Sequence, residues 1–160
     1  GGLPSLALGQ SLWLRECHDR IDGAPPAVGL EEERKNGEFV RKLIAEGKVI
    51  AVHDVSDGGA LVALTEMCLG GNVGAALVWE NDAHGWFAET QATYLLALSD
   101  GVIWPDIADA ASPLGIDTKH IAVAQGNAID GRVFNIPLSD LRAAHEGFFP
   151  RLMGADAALA

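Results

Sequence analysis

The sequence predicts a layered α/β or α+β domain, and three observations lead there. Stretches of helical spacing alternate with short apolar runs along the chain. At 160 residues the length suits about one domain, with no internal repeat, low-complexity tract or long linker to divide it. Glycine is abundant, 19 residues against the ~7% usual in proteins, which predicts tight turns or close backbone approaches.

The elements follow in order. Residues 9–20 carry Leu12, Trp13 and Cys17, with Ile21 just beyond, at a loose helical spacing, and Asp22-Gly23-Ala24-Pro25-Pro26 breaks any helix there. From Leu30 to Glu46 the pattern is helical. Phe39, Val40, Leu43 and Ile44 share one face, charge covers the other, and Gly47 is a natural stop. Val49 to Val52 reads as a buried strand. The polar turn His53 to Gly59 leads into a helix over Ala60 to Leu69, apolar nearly all round and ended by Gly70-Gly71-Asn72. Val73 to Trp79 predicts a second strand, residues 83–90 a short helix, and Thr93 to Leu98 a third strand. Pro105 suits the first turn of a helix reaching Ala111. Ile121 to Ala124 and Val133 to Ile136 predict two strands joined by a turn. Leu138, Leu141, His145, Phe148 and Leu152 recur at helical spacing, with Pro150 expected to kink or end that helix.

Composition excludes several functions. With 49% hydrophobic and 21% charged residues the chain has a globular profile. Twenty-two acids against eleven bases give a net charge of -11, which opposes binding to nucleic acid or an anionic membrane through a basic face. An anionic ligand would need help from helix N-termini, metal ions or another chain. No signal peptide or run of eighteen apolar residues is seen, which argues against secretion or membrane spanning and for the cytoplasm. The opening Gly1-Gly2, without methionine, fits methionine removal or a piece of a longer protein.

Most reactive side chains have ordinary readings. Cys17 and Cys68 lie far apart in apolar surroundings with no C-x-x-C motif, and both are expected to be small buried hydrophobes. His18, His84, His120 and His145 are scattered without metal-ligand spacing. Glu66 could face a cleft, but a helical glutamate is usually solvated. Glu31-Glu32-Glu33 sits where a helix begins and complements its dipole. Trp13, Trp79, Trp86 and Trp104 read as packing anchors. No G-x-S-x-G, Walker A or Rossmann fingerprint is present, and no residue is assigned a catalytic role.

Residues 48–69 are the informative stretch: a buried strand, a polar glycine turn, then an apolar helix. This arrangement places free amides at a helix N-terminus, where phosphate or carboxylate can be held. Gly58 and Gly59, lacking Cβ, would let a ligand or another backbone approach. Asp54 and Asp57 would repel a phosphate unless a cation such as Mg²⁺ bridged them. Two readings stand side by side. In one, Ser56 or Asp57 caps the helix and His53 bonds locally; in the other, the turn holds a ligand.

The string His53-Asp54-Val55-Ser56-Asp57-Gly58-Gly59, with Ala60 to Met67 behind it, resembles the HDVSDGG-x-x-x-A-L-x-E-M signature of the large subunit of phosphoribosylformylglycinamidine synthase. The match is to the second, C-terminal copy of that enzyme's duplicated module. Supporting matches run in order along nearly the whole chain. Leu8-Gly9-Gln10-Ser11 is similar to the family's LG-x-S opening, and Gly23-Ala24-Pro25-Pro26 with Glu33, Asn36-Gly37 and Phe39-Val40 to its G-x-P-P segment and following helix. Phe87-Ala88-Glu89-Thr90-Gln91 resembles its F-[GS]-E-x-Q motif, and Leu138 to Met153 its closing helix.

The resemblance implies a three-layer α/β/α domain with a mixed sheet, of the aminoimidazole-ribonucleotide synthetase C-terminal type, a single domain over residues 1–160 of this chain that belongs to a longer duplicated enzyme. It implies an ATP-dependent ligase of purine biosynthesis. ATP phosphorylates the amide oxygen of formylglycinamide ribonucleotide and ammonia from glutamine displaces phosphate, with Mg²⁺ as the metal. This domain would wall the nucleotide and substrate cleft without turnover of its own. By resemblance, His53, Asp54, Ser56, Asp57, Gly58, Gly59, Glu89 and Gln91 would bind nucleotide or substrate, with Asp54 and Asp57 toward the metal. Implied partners are the other domains of the synthase, a glutaminase subunit and a small accessory subunit. The chain departs from the pattern at Gly29 (usually Asp), Ala88 (usually Gly or Ser) and Thr93 (usually Arg), and the last loses a bidentate phosphate donor. Two alternatives stay open: a structural or auxiliary nucleotide-binding module, and a domain of a sister enzyme such as thiamine-monophosphate kinase or selenophosphate synthetase.

Overall fold

The computed structural model describes residues 8–80 and 82–154. They divide into two compact units. The first takes the chain up to Leu64 together with Glu80–His120, and the second takes Thr65–Trp79 and the chain from Ile121 onward. The α/β class read from the sequence is borne out, and a mixed sheet is present.

In the first unit, helix α1 (Leu12–His18) opens at Ser11, whose buried hydroxyl accepts the Leu14 amide at 3.2 Å and donates to the Leu8 carbonyl at 2.6 Å. It closes where Asp19 turns left-handed (φ 52°), so the helix is shorter than its apolar spacing suggested. Cys17 lies on the exposed side of this short helix, against the expectation of burial; Cys68 is buried as expected. Helix α2 (Leu30–Ala45) begins with Glu31, Glu32 and Glu33 in its first turn, as the dipole favours. Its buried stripe is Phe39, Val40 and Leu43, whereas Ile44 turns outward and is 53% exposed. At its end the Gly47 amide donates to the Ile44 carbonyl and the Lys48 amide to the Leu43 carbonyl, with Gly47 at φ +66°. This paired closure caps the orphan carbonyls and turns the chain into a strand.

That strand, β1 (Val49–Asp54), runs two residues past the predicted end and carries His53 and Asp54 with it. It pairs antiparallel with β3 (Tyr94–Leu98), which sets Asp54 opposite Tyr94. Between them in sequence come α3 (Gly59–Gly71), β2 (Ala75–Leu77) and the short α4 (Ala83–Phe87). Asp82 caps α4 by accepting the His84 and Gly85 amides. Because α4 stops at Phe87, Glu89 and Gln91 lie in the loop after it rather than on a helix. Helix α5 (Trp104–Ala111) has proline in its first turn, as expected. Phe39, Leu43, Ile107 and Ala111 form one buried cluster of the unit, with Val49, Leu96 and Leu98 packed against it.

In the second unit, β2 lies between β4 (Ala122–Ala124) and β5 (Ala128–Asp130), and β6 (Asn135–Pro137) borders β5. The β2–β5 pair is parallel and the others are antiparallel. Strand β5 was not expected, since its three residues fall where the sequence suggested only a turn. Ile129, 1% exposed, is the strand's one buried residue, and a single buried position between Ala128 and Asp130 is too little to register as a pattern. Helix α6 (Leu138–Glu146) and the short α7 (Phe148–Leu152) end the described chain. The Arg142 guanidinium donates to the Leu69 carbonyl at 2.9 Å and pairs with Glu146. The helix breaks at Gly147, not at Pro150. Pro150 falls in the first turn of α7, where a missing amide costs no helical bond.

Candidate nucleotide site

All the residues singled out lie within the first unit. Strand β1 delivers His53 and Asp54 at its end. His53 is half-buried, its Nδ1 lies 2.6 Å from the Asp54 carbonyl, and the Asp54 carboxylate is 72% exposed. Val55 is buried and its amide donates to the Thr93 carbonyl at 2.8 Å, which fixes the chain as it leaves the sheet. Ser56 and Asp57 are exposed. Neither side chain hydrogen-bonds to anything among the described residues, so neither caps α3.

Gly58 and Gly59 follow at φ +82° and +74°, conformations that L side chains rarely adopt. Both are buried. A Cβ on Gly59 would stand 2.7 Å from the Phe87 Cα and carbonyl carbon and from the Trp86 oxygen. The glycine pair therefore serves a close approach of protein backbone at Gly59, beneath a turn whose polar side chains face outward.

Glu89 does something the sequence did not suggest. Its Oε1 accepts the Gly58 amide at 2.9 Å and the Leu12 amide at 2.7 Å, tying the turn to the start of α1. Gln91 is exposed, and its recorded bond is through its carbonyl, which accepts the Thr93 hydroxyl at 3.3 Å. Asn36 of α2 braces the same loop by donating to the carbonyl of Ala92, itself at φ 58°. Its Oδ1 is buried without a partner among the described residues. The Tyr94 hydroxyl donates to Glu33 at 2.8 Å, and that bond, with some burial and the charges of Glu33 and Asp54, pushes its pKa up. The structure thus brings His53–Gly59 and Glu89 together, while the Gln91 side chain makes no recorded bond to the turn. Leu12, Asn36 and Tyr94 are additions. Asn36-Gly37 was visible as a motif, but backbone-to-carboxylate bonds between residues 77 positions apart leave no sequence signal.

The donor set fits a divalent cation in one specific sense. Mg²⁺ takes one or two carboxylates, keeps waters and fills its shell with ligand phosphates. The exposed Asp54 and Asp57 offer such carboxylates. Among the described residues no group of three or more His, Cys, Asp or Glu is arranged to hold a metal. Glu66, expected on a solvated surface, is half-buried on α3, and His18, His84, His120 and His145 are all exposed. Among the described residues no helix is long and apolar enough to cross a membrane.

Residues 2–127 match the family model of the AIR synthase related protein, C-terminal domain. The phosphoribosylformylglycinamidine synthase subunit PurL of Mesorhizobium japonicum is 46% identical over 153 residues, covering 91% of this chain and 21% of the relative. The chain thus spans about a fifth of that relative's length. A structure of Thermotoga maritima PurL complexed with FGAR superimposes with a TM-score of 0.58 at 19% identity, over 68% of this chain and 20% of that one. A second, of the same protein complexed with ATP, gives 0.56 at 18% identity, over 66% and 21%. At such identities the two structures establish likeness of fold.

Proposed function

The chain belongs to the AIR synthase related protein family, as its C-terminal domain, and from that premise we propose that it is one domain of an ATP-dependent phosphoribosylformylglycinamidine synthase, walling the nucleotide and substrate cleft. The observation that carries the reading is the turn ahead of α3. Among the described residues the Ser56 and Asp57 side chains are exposed and make no hydrogen bond, at the N-terminus of a thirteen-residue helix, while the backbone beneath them is held by Glu89 and Val55. Polar groups left unused above a tightly braced turn suit a ligand better than a cap. The relative named PurL and the FGAR- and ATP-bound PurL structures supply the substrate class.

In the complete reaction ATP would phosphorylate the amide oxygen of formylglycinamide ribonucleotide, and ammonia would displace phosphate to give the amidine. This chain's share is binding and orientation. The Ser56 hydroxyl would donate to a phosphate or ribose oxygen, and the helix dipole of α3 would favour that negative charge. Asp54 and Asp57 would hold Mg²⁺, and Gln91, exposed on the neighbouring loop, would add an amide contact. When bound, Mg²⁺ supplies neutralisation of phosphate charge, which a chain of net charge -11 lacks. His53 orients the end of β1 through the Asp54 carbonyl. The remaining domains of the synthase, a glutaminase subunit and a small accessory subunit would complete the assembly in the cytoplasm.

A second reading, an auxiliary nucleotide-binding or structural module, is favoured by two observations. The Glu89 carboxylate is occupied by backbone amides, and Thr93 stands where the resemblance leads one to expect arginine. A chimera separates the two: this chain replaces the matched fifth of the Mesorhizobium subunit, and amidine formation is assayed with ATP, Mg²⁺ and ammonia. ATP-dependent turnover supports the synthase reading. A folded chimera that binds nucleotide without turnover supports the auxiliary one.

A further inference from the structure

Glu89 lies on a loop, half-buried, with a carboxylate that could face a ligand or the protein. The structure places one of its oxygens between two backbone amides from distant parts of the chain, Leu12 at 2.7 Å and Gly58 at 2.9 Å. Each of those amides is otherwise an orphan. Leu12 is the first residue of α1, where no intrahelical acceptor exists, and Gly58 precedes α3 in a left-handed turn. A charged acceptor between two such donors forms bonds about twice as strong as neutral ones. Among the described residues neither amide has another acceptor. The remaining supports of the turn are the Val55 amide on Thr93 and the Gly59 amide on Ser56, which hold the residues on either side of Asp57.

We propose that Glu89 is a positioning residue, a latch that sets the Ser56–Gly59 turn through the Gly58 amide and couples it to the start of α1 through the Leu12 amide. It acts on a ligand only through that turn. This deepens the nucleotide-site reading and rests on it for its purpose, though the latch itself is a property of this chain alone. It also reassigns Glu89 within the motif Phe87-Ala88-Glu89-Thr90-Gln91: the glutamate shapes the turn, and the exposed Gln91 is left as the side chain open to a ligand.

The latch needs an acceptor oxygen, and the negative charge strengthens its two bonds, so the alanine variant removes both contributions and the glutamine variant only the second. Amide hydrogen exchange by NMR on this chain reads the latch directly. Glu89→Ala is expected to speed exchange at both Gly58 and Leu12 about tenfold or more, with smaller changes at amides of the β1–β3 pair. Glu89→Gln retains the oxygen without the charge and is expected to leave both amides protected, exchanging faster than in the wild type but slower than in the alanine variant. Unchanged exchange at Gly58 and Leu12 in the alanine variant would overturn the latch. Should the alanine variant fail to fold, the glutamine variant decides alone, because loss of protection at both amides with the acceptor oxygen present would overturn it. In the complete synthase, Glu89→Ala should raise the KM for ATP more than it lowers kcat, and Glu89→Gln should restore the KM. If glutamine instead abolishes Mg²⁺-dependent ATP binding while both amides stay protected, the carboxylate touches the ligand directly and the positioning role falls. A wild-type synthase that binds no ATP at this turn, with the exchange results intact, would count against the nucleotide-site reading and leave the latch standing.

Discussion

Replacing Gly59 by alanine separates two effects that a glycine usually hides together. The residue sits at φ +74°, and a left-handed conformation costs an L residue about 1–2 kcal/mol. An added Cβ would also lie 2.7 Å from three backbone atoms of Trp86 and Phe87. Comfortable carbon contacts are about 3.5–4.0 Å, so the two segments must part by close to an ångström, and such overpacking costs about 1–3 kcal/mol more. Reduced freedom in the unfolded chain returns about 0.4–1 kcal/mol. The net expectation for Gly59→Ala is a loss of about 2–4 kcal/mol. Gly47 provides the control, since its φ is +66° and nothing lies within 4 Å of the Cβ position. Gly47→Ala should therefore lose only about 1 kcal/mol. Urea denaturation of both variants, followed by tryptophan fluorescence and far-UV circular dichroism, measures the difference. Equal losses in the two would refute the close approach of the 86–87 backbone to the turn.

Five further outcomes follow from the same geometry. Leu43→Ala, truncating a residue 1% exposed among Phe39, Ile107 and Ala111, should cost about 2–5 kcal/mol in urea denaturation. Ser11→Ala removes the buried cap of α1 and should cost about 1–2 kcal/mol in the same assay, an exposed serine such as Ser56 costing far less. Burial pushes the Cys68 thiol pKa up, so a thiol reagent at neutral pH should modify Cys17 quickly and Cys68 only on unfolding. The chain's single tyrosine allows a direct ultraviolet titration. Tyr94 should ionise above the ordinary value of 10.0, and Glu33→Gln should bring it down. Because the folded pKa is the higher one, the stability this hydroxyl contributes is complete below the unfolded value and fades as pH rises through the folded one. In the complete synthase, Asp57→Asn should weaken Mg²⁺-dependent nucleotide binding several-fold, measured by calorimetric titration; an unaltered metal dependence would remove Asp57 from the metal site.

What could be read from the sequence was what rests on local pattern. Helix α2 was legible because sixteen residues repeat one apolar stripe and end at a glycine, and β1 because four apolar residues follow that stop, although none of the four is buried, against the expected buried strand, and Ile50 is 76% exposed. The turn at His53–Gly59 was legible as a string, and its two glycines do adopt positive φ. Illegible features depend on distant partners. Strand β5 exists because Ile129 finds a buried place between β2 and β6, which three residues cannot announce. Glu89 looked like a ligand-facing motif residue until its bonds to Leu12 and Gly58 were seen. The outward turn of Ile44 and the exposure of Cys17 have the same cause. Periodicity ranks faces by composition, whereas burial is decided by what packs opposite.

The order of strands in the second unit bears on how the polypeptide emerges and folds. Strand β2 is synthesised ahead of both its neighbours, β4 and β5, which lie beyond a stretch of about forty residues that belongs to the other unit, an interval whose closure entropy grows only slowly with length. During synthesis, all the residues of the first unit have left the ribosome before β2 meets either partner. A frameshift or nick near His120 would therefore leave the candidate nucleotide turn with its Glu89 latch and its helical core, while exposing Ala75 and the unpaired edges of β2. Chains shortened from the C-terminus are expected to fail by aggregation through that strand rather than by loss of the site's own residues.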